Sequence, residues 1–276
     1  MAAAPSIRPP AVAGSFYPAA AGELRATVEA LLAGVDGQEI GAALPPAARP
    51  VPKALLAPHA GYVYSGPVVA SAFSTLAAAA GSIRRVVLLG PAHRVAVAGL
   101  ALPGDAAFAT PLGNVSVDAE AVAAVAGLPQ VTVDRRAHAP EHSLEVELPF
   151  LQILLGDFQL LPLVVGEAAA DEVAEVLDRV WGEDETAIVI SSDLSHYLPY
   201  EVAREVDGET AREILRLGGP LDPRRACGAY PLSGFLRVAK QRGLLPRLLD
   251  LRSSGDTAGD RRQVVGYGAF AFHERN

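Results

Sequence analysis

The 276-residue chain carries 23 Lys and Arg against 31 Asp and Glu, a net charge of -8, and half of its residues are hydrophobic. That balance excludes a general nucleic-acid binder, which needs clustered cations to neutralise phosphates. The apolar share and the length are ample for a large buried core.

Taken in chain order, apolar runs alternate with helical spacings. Leu24, Val28, Leu31 and Leu32 mark a helix over 22–33, and residues 34–52, rich in Gly and Pro, read as a loop. "KALLAP" (53–58) reads as a strand, 66–80 as a helix and "RRVVLLG" (84–90) as the next strand. A hairpin-like region follows near 100–117, then helices over 118–127 and 143–156, the second despite Pro149. Strand 158–166, helix 171–182, strand 186–193 and a charged amphipathic helix over 200–217 come next. A helix over 231–243 and two strands, "LLPRLLDLRSS" and "QVVGYGAFAF", close the chain. Short, wholly apolar strands alternating with helices imply a sheet covered on both faces. The expected fold is therefore α/β: a three-layer sandwich with a mostly parallel or mixed central sheet flanked by helices. The proline-rich 41–52 segment is too short for a convincing linker, so one domain over 1–276 is expected.

Cys227 is the one cysteine, so no intrachain disulfide can form, which suits a reducing compartment. The first twenty residues lack the pattern of a signal peptide, and no run of about 18 apolar residues predicts a membrane span. A soluble cytoplasmic protein is expected, with no nucleic-acid or membrane partner. Neither G-x-x-x-x-G-K-[ST] nor a strand-following G-x-G-x-x-G occurs, so no nucleotide site is expected.

Three strands end in polar groups. "KALLAP" delivers His59, "RRVVLLG" delivers His93 in "GPAHR", and "TAIVISS" delivers Asp193 and His196 in "SSDLSHY". In open α/β sheets the carboxyl ends of strands face one crevice, where ligands bind. His142 opens "EHSLEVELPF" with Glu141 before it and Glu145 three residues on, and Cys227 lies in "CGAYP" on a loop before a helix. Imidazole, thiolate and carboxylate converging on one edge are transition-metal ligand types.

"AGSFYPA", "APHAGYVYSG", "GPAHR", "EHSLEVELPF", "SSDLSHY" and "CGAYP" occur in this order. Together they resemble the Memo family, whose fold is similar to that of the class III, LigB-type extradiol dioxygenases. The resemblance spans about residues 8 to 273. It implies one metal site, Fe(II) favoured and copper the alternative, with His59, His93 and Cys227 as ligands. It implies that Asp193 and His196 line the same pocket and that Phe16, Tyr62 and Tyr64 match aromatic positions at its lip. Read from the residues, Asp193 orients His196 or a ligand imidazole, His196 is a proton donor or acceptor or a fourth ligand, and Glu141 and His142 are further pocket candidates. Phe16 stands where the family often has Trp. Bacterial members resemble protein B of a system with an AMMECR1-like protein and a radical SAM protein, which are the implied partners beside a small-molecule or peptide ligand. A thiolate in place of a carboxylate ligand separates the chain from the dioxygenases, so ring cleavage does not carry over.

Other readings stand beside these. Cys227 is also a small buried hydrophobe or a nucleophile paired with His196. Asp193 is also an N-cap or turn residue, since "SSDLS" is rich in capping residues. Glu141, His142 and Glu145 are also an ion-paired helix start, with the structural role favoured for Glu145. His138 and His273 lie outside the motifs and are expected at the surface. Metal-dependent redox chemistry on an unknown substrate is the leading function; an adaptor module binding a peptide or protein in the pocket, and a metal-assisted hydrolase, are the alternatives.

Overall fold

Residues 54–57, 86–91, 160–165 and 186–191 are buried at every position, and period-two alternation sends their side chains to opposite faces of the sheet. Leu55, Val86, Leu88 and Val189 enter one apolar cluster, while Leu56, Val87, Leu89 and Ile190 enter the other. Both faces therefore need cover.

The computed structural model describes residues 6–36 and 51–275. Most of the expected 34–52 loop, and with it the proline-rich segment, lies outside the described residues. In order, the elements are β1 (Ile7–Arg8), α1 (Ala21–Asp36), β2 (Ala54–Ala57), α2 (Tyr62–Phe73), β3 (Arg85–Pro91), β4 (Leu100–Leu102), β5 (Ala107–Thr110) and β6 (Gly113–Val117). Then come α3 (Ala119–Val125), β7 (Val131–Val133), α4 (Arg135–His138), α5 (Leu148–Leu155), β8 (Gln159–Val165), α6 (Ala170–Val180) and β9 (Thr186–Ser191). The chain closes with β10 (His196–Leu198), α7 (Tyr200–Leu215), α8 (Ala229–Gln241), β11 (Leu245–Ser253), α9 (Ser254–Thr257) and β12 (Val264–His273).

The sheet runs β1-β5-β6-β8-β3-β9-β2-β12-β10, with β11 on β12 and with β4 and β7 branching from β8. Its centre, β8-β3-β9-β2, is parallel, and β12 joins β2 antiparallel. Helices α1, α2 and α5 cover one face through Leu24, Val69 and Phe150. Helices α3, α6, α7 and α8 cover the other through Val125, Leu177, Ile214 and Phe235. The α/β sandwich with a mixed sheet is as expected. No helix among the described residues is long and apolar enough to cross a membrane.

Two helices depart from the sequence reading. Helix α2 starts at Tyr62 rather than residue 66 and takes Pro67 inside it, then ends in a 3-10 turn over Ser74–Ala79. Pro67 has no N–H to bond the carbonyl of Val63, four residues back, and Val63 is exposed, so water can take up that carbonyl. The 143–156 stretch is a 3-10 turn, Glu145–Glu147, leading into α5, with Pro149 in the first turn, where proline fits.

The N-terminal segment is tied down by a buried ion pair. Arg8 and Glu145 are 2% and 0% exposed, with Arg8 Nη1 2.6 Å from Glu145 Oε2. The same carboxylate accepts from the N–H groups of Ala11 and Val12 at 2.7 and 3.0 Å and from the Tyr17 hydroxyl at 2.5 Å. Arg8 also donates to the carbonyls of His138 and Glu141. Residues 8–17 are thus strapped to the 138–147 segment, which confirms the structural role favoured for Glu145. Glu145→Gln leaves a buried guanidinium without its counter-charge, so chemical denaturation should show a loss of about 3 kcal/mol or more.

His138, expected at the surface, is buried at 1% exposure; the end of α4 places it beside β4, where Nε2–H donates to Ala101 O at 2.7 Å. His273 is half-buried. Burial pushes the His138 pKa down to about 4. The unfolded chain takes up this proton near 6.5, the folded chain only near 4, so this contribution to stability is lost as pH falls between those values. His138→Gln should make the fall in unfolding temperature between pH 6.5 and 4 shallower than in wild type; equal slopes would contradict the buried neutral imidazole.

Candidate metal centre

Parallel strands β2, β9 and β3 end at one edge, and each hands its next residues to a short turn. Ser192 N–H bonds Ala57 O at 2.8 Å, and Asp193 Oδ1 accepts from the His59 N–H at 2.8 Å. The turns after β2 and β9 are therefore stitched together where His59 emerges. The strap packs against the turn after β2, where the Phe16 carbonyl accepts from the Tyr62 N–H at 2.8 Å.

Ligand atoms of His59, His93 and His142 all lie within 4.8 Å of one another. The His93 and His142 rings stack with centroids 4.7 Å apart, and His59 meets both edge-on at 5.1 and 5.5 Å. Glu141 braces two of the three. Its Oε2 accepts from the His93 N–H at 2.6 Å and its Oε1 contacts His93 Nδ1 at 2.8 Å. The N–H groups of His142 and Ser143 donate to Oε1 at 2.9 Å each. Burial alone would raise Glu141, but His93 and these N–H groups hold it down at about 2. An ionised carboxylate can only accept, so His93 Nδ1–H donates to it and Nε2 is the ring nitrogen left for a ligand. Behind His59, Ser191 Oγ lies 2.7 Å from Nδ1.

Burial, then the neighbouring imidazoles, push His59 well below its ordinary pKa. Burial likewise takes His142 down to about 4. Neutral imidazole is the ligand form. His142 Nδ1 lies 3.4 Å from Glu141 Oε1, so the brace faces this ring too, and three imidazoles with ligand atoms within 4.8 Å of one another are a donor set for a transition metal. The residues present fit a transition metal ion.

Cys227 sits beside this group rather than in it. Its sulfur is 3.2 Å from His59 Nε2 and 3.7 Å from Asp193 O, while the compact trio found among the described residues has His142 as its third member. The reason is local: the Glu141 brace draws the His142 backbone toward His93, so the rings stack. Burial, then the Asp193 charge, push the Cys227 thiol up. Gly228 permits the approach of its loop, because a Cβ there would lie 2.6 Å from Ser192 Cβ.

A cleft of about 1050 Å³ opens over the trio, and His59, His93, His142, Asp193 and His196 all line it. Burial, more than its hydrogen bonds and neighbouring charges, raises Asp193 to about 7. Asp193 holds the His59 backbone, not the His196 ring; His196 Nδ1 instead meets Leu194 O at 2.8 Å. Phe16 packs on His142 with centroids 4.8 Å apart and lines the cleft with Tyr64. Tyr62 does not reach it: its hydroxyl donates to Val146 O at 2.7 Å, inside the core. Glu141 sits behind the trio rather than on the cleft wall. Sequence reasoning missed Arg94, Tyr197 and Tyr267 in the lining and Ser191 behind His59.

A family profile described as Memo-like protein matches residues 8–271. The chain belongs to the Memo family. It is 38% identical to a MEMO1 family protein of Methanopyrus kandleri, over 96% of this chain and 98% of that one. MEMO1 family proteins of Sulfolobus acidocaldarius and Aquifex aeolicus are each 36% identical over 95% of this chain and 97% of theirs. An uncharacterized Escherichia coli K12 protein of known structure superposes with a TM-score of 0.48 at 16% identity, over 78% of this chain and 98% of that one, and bears no weight here.

In this Memo protein Glu141 is the brace of the site. Glu141→Gln removes the charge that fixes His93, and metal affinity should fall about 10- to 100-fold, read by competition titration against a chromogenic chelator. Unchanged affinity would contradict the brace.

Proposed function

We propose that this Memo protein holds one transition metal ion at the strand ends, Fe(II) favoured over copper, and carries out redox chemistry on a small-molecule or peptide ligand entering the cleft. The observation that carries the reading is the His59, His93 and His142 group, three imidazoles within 4.8 Å under an open cleft. Cys227 Sγ, 3.2 Å from His59 Nε2, is the further donor that the family resemblance supports. When bound, such an ion supplies one-electron redox chemistry that the side chains lack.

The remaining roles belong to the chain's own groups. Burial lowers the His196 pKa, leaving the ring neutral near pH 7. With Nδ1–H committed to Leu194 O, its Nε2 takes a proton from a ligand in the cleft. Asp193, raised to about 7, holds a proton near neutrality and presents it at the same wall. Phe16, Tyr64 and Tyr197 shield the floor from water. Tyr197 is 68% exposed and sits at φ 57°, a left-handed backbone that a bulky residue rarely adopts. Arg94 supplies positive charge beside His93 for an anionic part of the ligand. A cytoplasmic location, one domain, and assembly with AMMECR1-like and radical SAM proteins complete the reading.

Elemental analysis of protein made anaerobically with iron and copper available tests it. Wild type should carry near-stoichiometric metal, His59→Ala/His93→Ala almost none, and Cys227→Ser an intermediate load. Equal metal in wild type and the double variant would overturn the proposal.

A further inference from the structure

Behind the imidazoles lies a carboxyl group that none of the roles above uses. Glu147 is completely buried, and no Lys, Arg or His among the described residues forms an ion pair with it. Its Oε2 has no hydrogen-bond partner. Its Oε1 is 3.0 Å from Ser191 Oγ, the oxygen that also sits 2.7 Å from His59 Nδ1 and 2.6 Å from Ser143 O.

Counting hydrogens around Ser191 settles the direction of each bond. A serine hydroxyl has one proton and two lone pairs, and a backbone carbonyl only accepts. Ser143 O, with the shortest contact, takes the hydroxyl proton. Both remaining contacts must then donate to Ser191: His59 through Nδ1–H, Glu147 through a carboxylic acid O–H. An ionised Glu147 would compete with Ser143 O for a single proton and leave a buried charge with one oxygen bare, an arrangement that costs several kcal/mol.

We infer that Glu147 is a neutral buried acid which, through Ser191, fixes His59 as the Nδ1–H tautomer and so turns the Nε2 lone pair toward the ion site. Two of the imidazoles are then braced oppositely, His93 by the ionised carboxylate of Glu141 and His59 by the protonated carboxyl of Glu147. Burial and the nearby Asp193 charge raise Glu147 well above its ordinary pKa, and Tyr62, the other titratable group that senses it, is itself raised, first by burial. Neither neighbour supplies a positive charge that would ionise it. Glu147 is a positioning residue: it acts on His59 through Ser191 and touches no ligand.

The tautomer assignment stands on the metal-free protein, and only the affinity consequence rests on the metal reading. In metal-free full-length protein, the infrared difference between wild type and Glu147→Gln should contain a carboxylic-acid carbonyl band that shifts in D2O; carboxylate bands in its place would overturn the inference. Nitrogen-15 NMR should find the His59 proton on Nδ1 in wild type and in Glu147→Gln, whose amide N–H replaces the acid O–H as donor. A wild-type His59 with its proton on Nε2 would overturn it too. Glu147→Leu removes the donor, and Ser191→Ala removes the relay should Glu147→Leu fail to fold; in either, the Nδ1–H preference should weaken. Co(II), followed by its visible spectrum, should bind Glu147→Gln within about threefold of wild type and Glu147→Leu or Ser191→Ala about 10- to 100-fold more weakly. Wild-type affinity and tautomer in both disruptive variants would contradict the relay. Wild type that fails to bind Co(II) while His59 carries its proton on Nδ1 upholds the relay and contradicts the metal reading alone.

Discussion

Everything at the cleft floor depends on holding three imidazoles close together. Protonated rings at ring separations of about 5 Å would repel one another in a poorly solvated pocket, so packing them this closely favours uncharged rings. Burial supplies this for His59 and His142. Neutral rings packed this way offer ligand atoms within 4.8 Å of one another, a spacing that a cation could bridge. The same condition leaves the group able to hold a metal ion and poorly suited to act as a general acid.

Fixing the rings takes a second layer, drawn from the segment between His138 and Glu147. Within ten residues it contributes Glu141 to His93, Ser143 O to the Ser191 hydroxyl, Glu145 to the N-terminal strap, and Glu147 to Ser191. A 3-10 turn at Glu145–Glu147 allows this, since its tighter winding sends side chains in directions that a regular helix would not. The strap in turn sets Phe16 on His142. Changes in the strap thus reach the ion site through packing, without any residue of it touching an ion.

Much of this was legible in the sequence. The apolar strands β2, β3, β8 and β9 declared a sheet covered on both faces, and the strand-end rule placed His59, His93, Asp193 and His196 on one edge, where they are found. What stayed hidden lacked a local signal. Tyr267 and the segment before β12 reach the cleft because β12 runs antiparallel to β2, so its beginning lies at the edge where the parallel strands end; strand direction cannot be read from an apolar run. His138 reads as a surface residue in sequence, and only its long-range partner Ala101 explains its burial; Arg8 is likewise buried only through Glu145, 137 residues away. Tyr62 and Tyr64 are two residues apart near the start of α2, so their side chains leave the helix in different directions, one to the core and one to the cleft. The family resemblance offered Cys227 as a ligand, and its sulfur lies 3.2 Å from His59 Nε2; His142 joins His59 and His93 in one compact group that no sequence spacing announces.

Anomalous diffraction from crystals of the iron-loaded protein tests the central claim most directly. The account predicts one strong peak at the iron edge, about 2 Å from imidazole nitrogens of both His59 and His93, with His142 and Cys227 facing it. A peak elsewhere in the molecule, or none at this edge in protein that retains its iron, would contradict it.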